Sequence, residues 1–180
     1  MKKHLHAFTL IEIMVVIFLI GLMATMIVPR LTRKSPASAW PKVLDEINNA
    51  VLFARQEAIS NQQLHRLKFK APHTIVVESE KSDPENPEKK IYAQVTSDYF
   101  TTKFDLSEEI TINGVYVGKQ ETMQDNKGEG YCYVISDGLV QDVLVRLTRQ
   151  EGGQASKVSL RMMPFKGVFQ LIEGHVRPGE

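Results

Sequence analysis

Cysteine is nearly missing from this chain: Cys132 stands alone among 180 residues, so no disulfide can form within it in any compartment. A framework stapled by sulfur is excluded, and stability has to come from a packed core. An excess of charge of either sign is missing too. With 22 Lys and Arg against 21 Asp and Glu the formal net charge is +1, so the overall field steers neither nucleic acid nor acidic surfaces. Binding of either kind would need a local patch. Linear signatures of catalysis are also lacking: there is no HExxH, GxSxG, Walker loop or GxGxxG, and His65, His73 and His175 are scattered rather than set at metal-ligand spacing. Cys132 lies in the strand-like run Tyr131–Ile135 with no histidine near it in sequence, which fits a buried small hydrophobe better than a nucleophile.

One long hydrophobic run is present. From Phe8 to Val28 the chain is apolar over a length that can cross a bilayer as one helix, which needs about 20 residues, yet it carries Glu12 near its start. A carboxylate in such a run costs about 2 to 3 kcal/mol near mid-helix and less towards the interface, so Glu12 calls for a cationic partner. An ordinary secretory signal has an apolar core of about 7 to 15 residues and a cut after it, and this run is longer. A plain anchor explains the length but leaves Glu12 without a purpose. Cutting the chain supplies the partner. Ahead of Phe8 lies the short polar leader Met1–Ala7, and Ala7 is small enough for a peptidase subsite. Its removal turns Phe8 into a free α-amine, a cation in the same layer as Glu12 and within reach of a neighbouring subunit.

Ala7 followed by Phe8-Thr9-Leu10-Ile11-Glu12, an apolar helix from Ile13 to Val28 and Pro29 resembles the class III leader and N-terminal segment of type IV pilins and type II secretion pseudopilins. The resemblance covers about the first thirty residues. One departure stands out: the family usually has Gly before the cut, where this chain has Ala7. The resemblance implies cleavage between Ala7 and Phe8 by a prepilin peptidase, N-methylation of Phe8, a registering salt bridge through Glu12 and a helix kink at Pro29. It also places the leader inside and the bulk of the chain outside the inner membrane. Charge alone does not decide that, because Lys2 and Lys3 before the run are opposed by Arg30, Arg33 and Lys34 after it. Many pilins carry a disulfide near the C-terminus, and this chain departs from them.

Beyond the run, about 150 residues remain, enough for one domain with a usable core. Residues Arg30 to Pro41 are polar and broken by Pro36 and Pro41, which predicts an interruption or bend. From Lys42 to about Asn61, Leu44, Ile47, Val51, Ala54 and Ala58 recur at spacings of three and four, which marks an amphipathic helix. Asp45, Asn48, Arg55, Glu57 and Gln62 lie on its opposite, solvated face. After Gln63 the period switches to two. Short strands are expected around Leu67–Phe69, Thr74–Val77, Ile91–Val95, Ile110–Ile112, Val115–Val117, Tyr131–Ile135, Val143–Leu147, Val158–Met162 and Val168–Ile172, with Asn113-Gly114 and Asp137-Gly138 as hairpin turns. The fold class is α+β: a long N-terminal helix followed by an antiparallel sheet or sandwich. The division is 1–7 leader, 8–28 membrane and assembly helix, 29–63 kinked linker and amphipathic helix, and 64–180 β-rich periplasmic domain.

The segment Ala54–Ile59 leading to Leu67-Lys68-Phe69, and the strand, Asp-Gly turn and strand from Tyr133 to Val145, are similar to the minor pseudopilin H and FimT-type subgroup. That likeness implies a minor, tip-associated subunit rather than the main filament subunit, and the whole reads as a minor pseudopilin of a type II secretion system with a mechanical and not a catalytic role. Its partners would be other pseudopilins, the prepilin peptidase, the inner-membrane platform and, at the tip, secreted substrate or the secretin. A FimT-type minor pilin of a type IV pilus or DNA-uptake machine is the alternative, and a membrane-tethered binding domain or enzyme is the alternative from another class. DNA binding is not expected: Arg146, Arg149, Lys157, Arg161, Lys166 and Arg177 are interleaved with Asp137, Asp142, Glu151, Glu173 and Glu180, and no stripe of aromatics accompanies them. No cofactor is expected. The loops Ser82–Glu88 and Asp125–Gly130 hold oxygen ligands but not the spacing of an EF-hand, so calcium is the minor reading there.

Overall fold

The computed structural model describes residues 10–32, 39–123 and 128–178, leaving aside the side chains of 24 and 26–32. Two compact units result, Met1–Ser38 and Ala39–Glu180. The first contains α1 (Leu10–Thr32), whose apolar residues occupy every face rather than one stripe. The helix runs through Pro29 to Thr32, so the expected interruption does not begin at Arg30. Nor does it extend to Pro41, because α2 (Ala39–Asn61) has already begun. A first-turn proline gives up only an N–H that has no partner within the helix, and its fixed φ suits a helix start.

Among the described residues the second unit joins α2 to ten strands. In chain order they are β1 (His65–Lys70), β2 (Thr74–Ser82), β3 (Lys90–Gln94), β4 (Lys103–Asp105), β5 (Ile110–Val117), β6 (Gln120–Met123), β7 (Glu129–Val134), β8 (Val143–Glu151), β9 (Gln154–Met163) and β10 (Val168–Glu173). They form two antiparallel sheets. One has the order β3-β2-β1-β7, with β4 sharing the β3 edge of β2; the other runs β10-β9-β8-β5-β6. In the first, Leu67 pairs with Val77 and Cys132, and Phe69 with Ile75 and Gly130, so alternate residues of three strands send one apolar set inward. From the second, Ile112, Val115, Val145, Leu147, Leu160 and Phe169 join the same core, with Ile47, Val51, Ala54 and Ala58 of α2.

Asn113-Gly114 is not a turn. Strand β5 continues through it, and its register with β8 shifts between Ile112 and Gly114. Ile112 and Val115 are both fully buried although they stand three positions apart, which strict alternation places on opposite faces. The extra residue, Asn113, is a β-bulge that resets the phase. Asp137-Gly138 does turn the chain: Gly138 takes φ 83° and donates its N–H to Ile135 O at 2.8 Å, while Leu139 N–H donates to Asp137 Oδ1 at 2.9 Å. It links β7 to β8, which lie in different sheets, so the turn is also the crossing point between them.

Candidate functional site

Helix α1 carries the main sequence-predicted site. Its described large apolar side chains are all exposed, from Val16 at 47% to Leu10 at 77%, and Glu12 lies in its first turn. An acidic group there meets the positive end of the helix dipole. Ala7 and Phe8, the expected cleavage and methylation residues, lie outside the described residues. Pro29 lies inside the helix near its end, with no side chain described. No helix among the described residues is long and apolar enough to cross a membrane; the expected span, 8–28, extends beyond them at its N-terminal end.

Within the second unit the polar face of α2 is not simply solvated. Asn48 accepts the Phe169 N–H at 2.6 Å and donates to Phe169 O at 3.2 Å, so its amide completes the free edge of β10 as another strand would. Arg55 donates from Nε to Gly138 O at 2.8 Å and from Nη1 to Lys166 O at 3.0 Å, tying the β7–β8 turn to the β9–β10 turn. A Cβ at Gly167 would overlap Arg55 Nη1, so the close approach of that turn depends on glycine. Helical periodicity marks where a side chain points, and carries no signal of which carbonyls wait there.

The outer face of the first sheet gathers charge and aromatic rings. Arg66 lies 3.6 Å from the Tyr92 ring centroid and 4.1 Å from that of Tyr131, and bonds Glu78 at 2.6 Å. Lys68 bridges Glu78 at 3.2 Å and Glu129 at 3.1 Å. The Tyr131 hydroxyl donates to Glu129 at 2.6 Å, which holds the Glu129 carboxyl below its ordinary pKa and raises that of Tyr131. The network satisfies itself, so its first consequence is rigidity of β1, β2 and β7.

On the second sheet the residues after β10 lie across the outer face as a strap. Arg146 donates to Val176 O at 2.7 Å and to the Tyr116 hydroxyl at 2.8 Å; Ser159 Oγ donates to Gly174 O and accepts from Val176 N–H. Arg149 pairs with Glu109 and Glu151. Two of the basic residues weighed for DNA are therefore engaged with the chain itself.

The remaining candidates lie apart from one another. Cys132 is buried, its thiol pushed far above the usual range first by burial and then by Asp142. His65, His73 and His175 approach the carbonyls of Gln63, Ile110 and Leu147 in separate places. Among the described residues no group of three His, Cys, Asp or Glu is placed to hold a metal. In the 82–88 loop, Asp83 Oδ1 and Asn86 Oδ1 accept the backbone N–H groups of Glu85 and Glu88, which is turn chemistry; residues 125–127 of the other candidate loop lie outside the described set.

Comparison with known proteins brings these elements together. Residues 2–28 match the prokaryotic N-terminal methylation motif, the stretch holding Ala7, Phe8 and Glu12. The minor pseudopilin EpsH of the type 2 secretion system of Vibrio cholerae aligns with 78% of this chain and 98% of its own, at 15% identity and a TM-score of 0.50. The fold is that of a minor pseudopilin. A further crystal structure of EpsH from the same organism aligns over 74% of this chain and 98% of its own, at 16% identity and a TM-score of 0.47. No curated protein sequence matches this chain. The pseudopilin-like domain thus stands behind the methylation motif of type IV pilin-like proteins, with an N-terminal helix and two antiparallel sheets.

Proposed function

We propose that this chain is a minor pseudopilin of a type II secretion system, anchored in the bacterial inner membrane with its β-rich domain in the periplasm. The observation that carries the reading is the methylation motif over residues 2–28, which runs into a helix that is apolar on every face and bears an acid in its first turn. A helix of that kind is not served by water and has to be covered by lipid or by other helices. Cleavage between Ala7 and Phe8 and methylation of Phe8 give the N-terminal cation. Glu12 pairs with the amine of an adjoining subunit, and the reluctance of an acid to stay unpaired in an apolar layer sets the register of stacking. The role is mechanical rather than catalytic: the chain joins other pilin-like subunits in a short periplasmic filament, supported by the inner-membrane platform, and at the tip meets secreted substrate or the secretin. The motif is common to type IV pilin-like proteins, so a FimT-type minor pilin is the reading that has to be separated from this one.

Intact-mass measurement of the membrane-extracted chain, expressed with and without a prepilin peptidase, tests the processing. Loss of Met1 to Ala7 with one methyl on Phe8, only with the peptidase, is expected; an intact leader or a cut after the apolar run refutes the assignment. Glu12→Ala is expected to insert in the membrane as well as the parent but to fail in cross-linking to neighbouring subunits. Normal cross-linking would remove Glu12 from the mechanism. Restoration of secretion, without pilus or DNA-uptake activity, in a strain lacking the corresponding minor subunit separates the secretion role from the pilus role.

A further inference from the structure

The segment between β3 and β4 folds back on α2, where Phe100 stacks on Phe53 with ring centroids 5.0 Å apart. Beside that stack lies a pocket of about 350 Å3, lined by Glu46 and Asn49 of α2 and by Tyr99, Phe100, Thr101 and Phe104. Its aromatic wall is unusually open to solvent: Tyr99 is 92% exposed and Phe100 46%.

We propose that this pocket receives an arginine side chain presented by a protein partner. Three of its six lining residues are aromatic, one is a carboxylate, and none is a cation. The faces of aromatic rings carry negative charge and attract a guanidinium, which stacks on them as well. Glu46 adds a carboxylate, while Asn49 and Thr101 add neutral oxygens for the remaining N–H donors. The volume sits at the low end of ligand pockets, which run from about 300 to 1,000 Å3, and suits one long side chain better than a cofactor. Lys42 approaches Glu46 at 3.8 Å across one helical turn, with side-chain exposures of 81% and 41%. A pair that exposed holds weakly, so an arriving guanidinium can displace it. The inference concerns the pocket alone and stands whether or not the chain enters a filament.

The test uses the full chain in detergent micelles with labelled phenylalanine rings, the Phe100 and Phe104 signals being assigned by substitution. The probes are N-acetyl-arginine amide, its neutral isostere N-acetyl-citrulline amide, and tetramethylammonium. Saturable shifts of both rings with the arginine probe are expected, with the citrulline probe about fivefold to tenfold weaker from the combined loss of the ring and carboxylate attractions. Glu46→Gln, an isosteric change at a half-exposed position, should weaken arginine binding several-fold without altering the thermal midpoint or citrulline binding. Equal affinity for arginine and citrulline, shifts that never saturate, or an unchanged Glu46→Gln would overturn the proposal. Tighter binding of tetramethylammonium than of arginine would overturn the occupant and make the pocket a site for small quaternary ammonium compounds.

Discussion

Substituting Gly130 by alanine tests how the two sheets are held together. Gly130 lies in β7 of the first sheet, buried, and a Cβ built on it would overlap Val115 Cβ and stand 2.6 Å from Val115 Cγ2 and 2.9 Å from Cγ1. Val115 belongs to β5 of the second sheet and is fully buried, so neither strand can yield without disturbing its own ladder. Gly130 does not need a left-handed backbone, so the cost is steric alone. Overpacking of this kind costs about 1 to 3 kcal/mol, against which the loss of glycine's freedom in the unfolded chain returns about 0.4 to 1 kcal/mol. A net loss of about 1 to 2 kcal/mol follows, which lowers the midpoint by roughly 2 to 8 °C at about 2 to 4 °C per kcal/mol. Val115→Ala alone opens a void and costs about 2 kcal/mol. In the double variant the alanine at 115 removes both Cγ overlaps but keeps the Cβ that the new methyl meets, so the steric penalty is relieved only in part and the combined loss falls below the sum by a fraction of it. Thermal unfolding of the full chain in micelles, followed by near-ultraviolet circular dichroism, reads all three. A Gly130→Ala midpoint equal to the parent's, or strict additivity in the pair, would refute this account of the interface.

Arg55→Ala should cost about 1 to 2 kcal/mol by removing two charge-assisted bonds to carbonyls. Hydrogen exchange should quicken at both the 137–139 and 164–167 turns, and Arg55→Lys should not restore them, since an ammonium lacks the fork that spans both carbonyls. Exchange confined to one turn would sink the bridging role. The strap is expected to loosen in acid. Burial holds the His175 pKa below the ordinary 6.5, aided by the charges of Arg146 and Lys157, although the bond to Leu147 O works the other way. Below pH 6.5 the unfolded chain therefore binds the proton more readily, so the stabilising contribution is complete above that value and is lost as pH falls through the lower folded one. Protection of the Val176 amide, bonded to Ser159 Oγ at 3.0 Å, should follow the same course, and His175→Gln should abolish the dependence.

What the sequence made legible is what local pattern can encode. The three-and-four spacing from Leu44 to Ala58 located the buried face of α2, with Ile47, Val51, Ala54 and Ala58 all at 0% exposure. Alternation located the longer strands, and Asp137-Gly138 its turn. What escaped depends on distant partners. Asn113-Gly114 has the composition of a hairpin, but the pairing of β5 with β8 along both halves of the strand overrides it and turns the phase error into a bulge. Strand β4 has three residues and β6 four, too short for a period to show, and both exist because β2 and β5 offer them an edge. Asn48 and Arg55 read as solvated because no local signal announces an edge amide or two turn carbonyls from remote parts of the chain. Glu12 was conspicuous for the opposite reason: it breaks a pattern within its own few residues.

The two units handle their polar groups differently, and that contrast bears on the mechanism. The β-rich unit engages several of its charged and amide side chains with itself: on sheet edges, on turn carbonyls, in the Arg66 network and on the strap. In α1 the described exposed side chains beyond Glu12 are apolar save Thr25, whose hydroxyl donates to Leu22 O at 2.7 Å, so little else on its sides distinguishes one rotation or register from another. If such a helix were surrounded by lipid, apolar attraction would not hold it to a neighbour, because lipid tails are as apolar as leucine. Selection would then fall to the polar group near its start. Under the proposed filament role anchoring and assembly separate: the apolar run would supply the first whatever stands at residue 12, and only an acid there, facing an N-terminal amine, would supply the second.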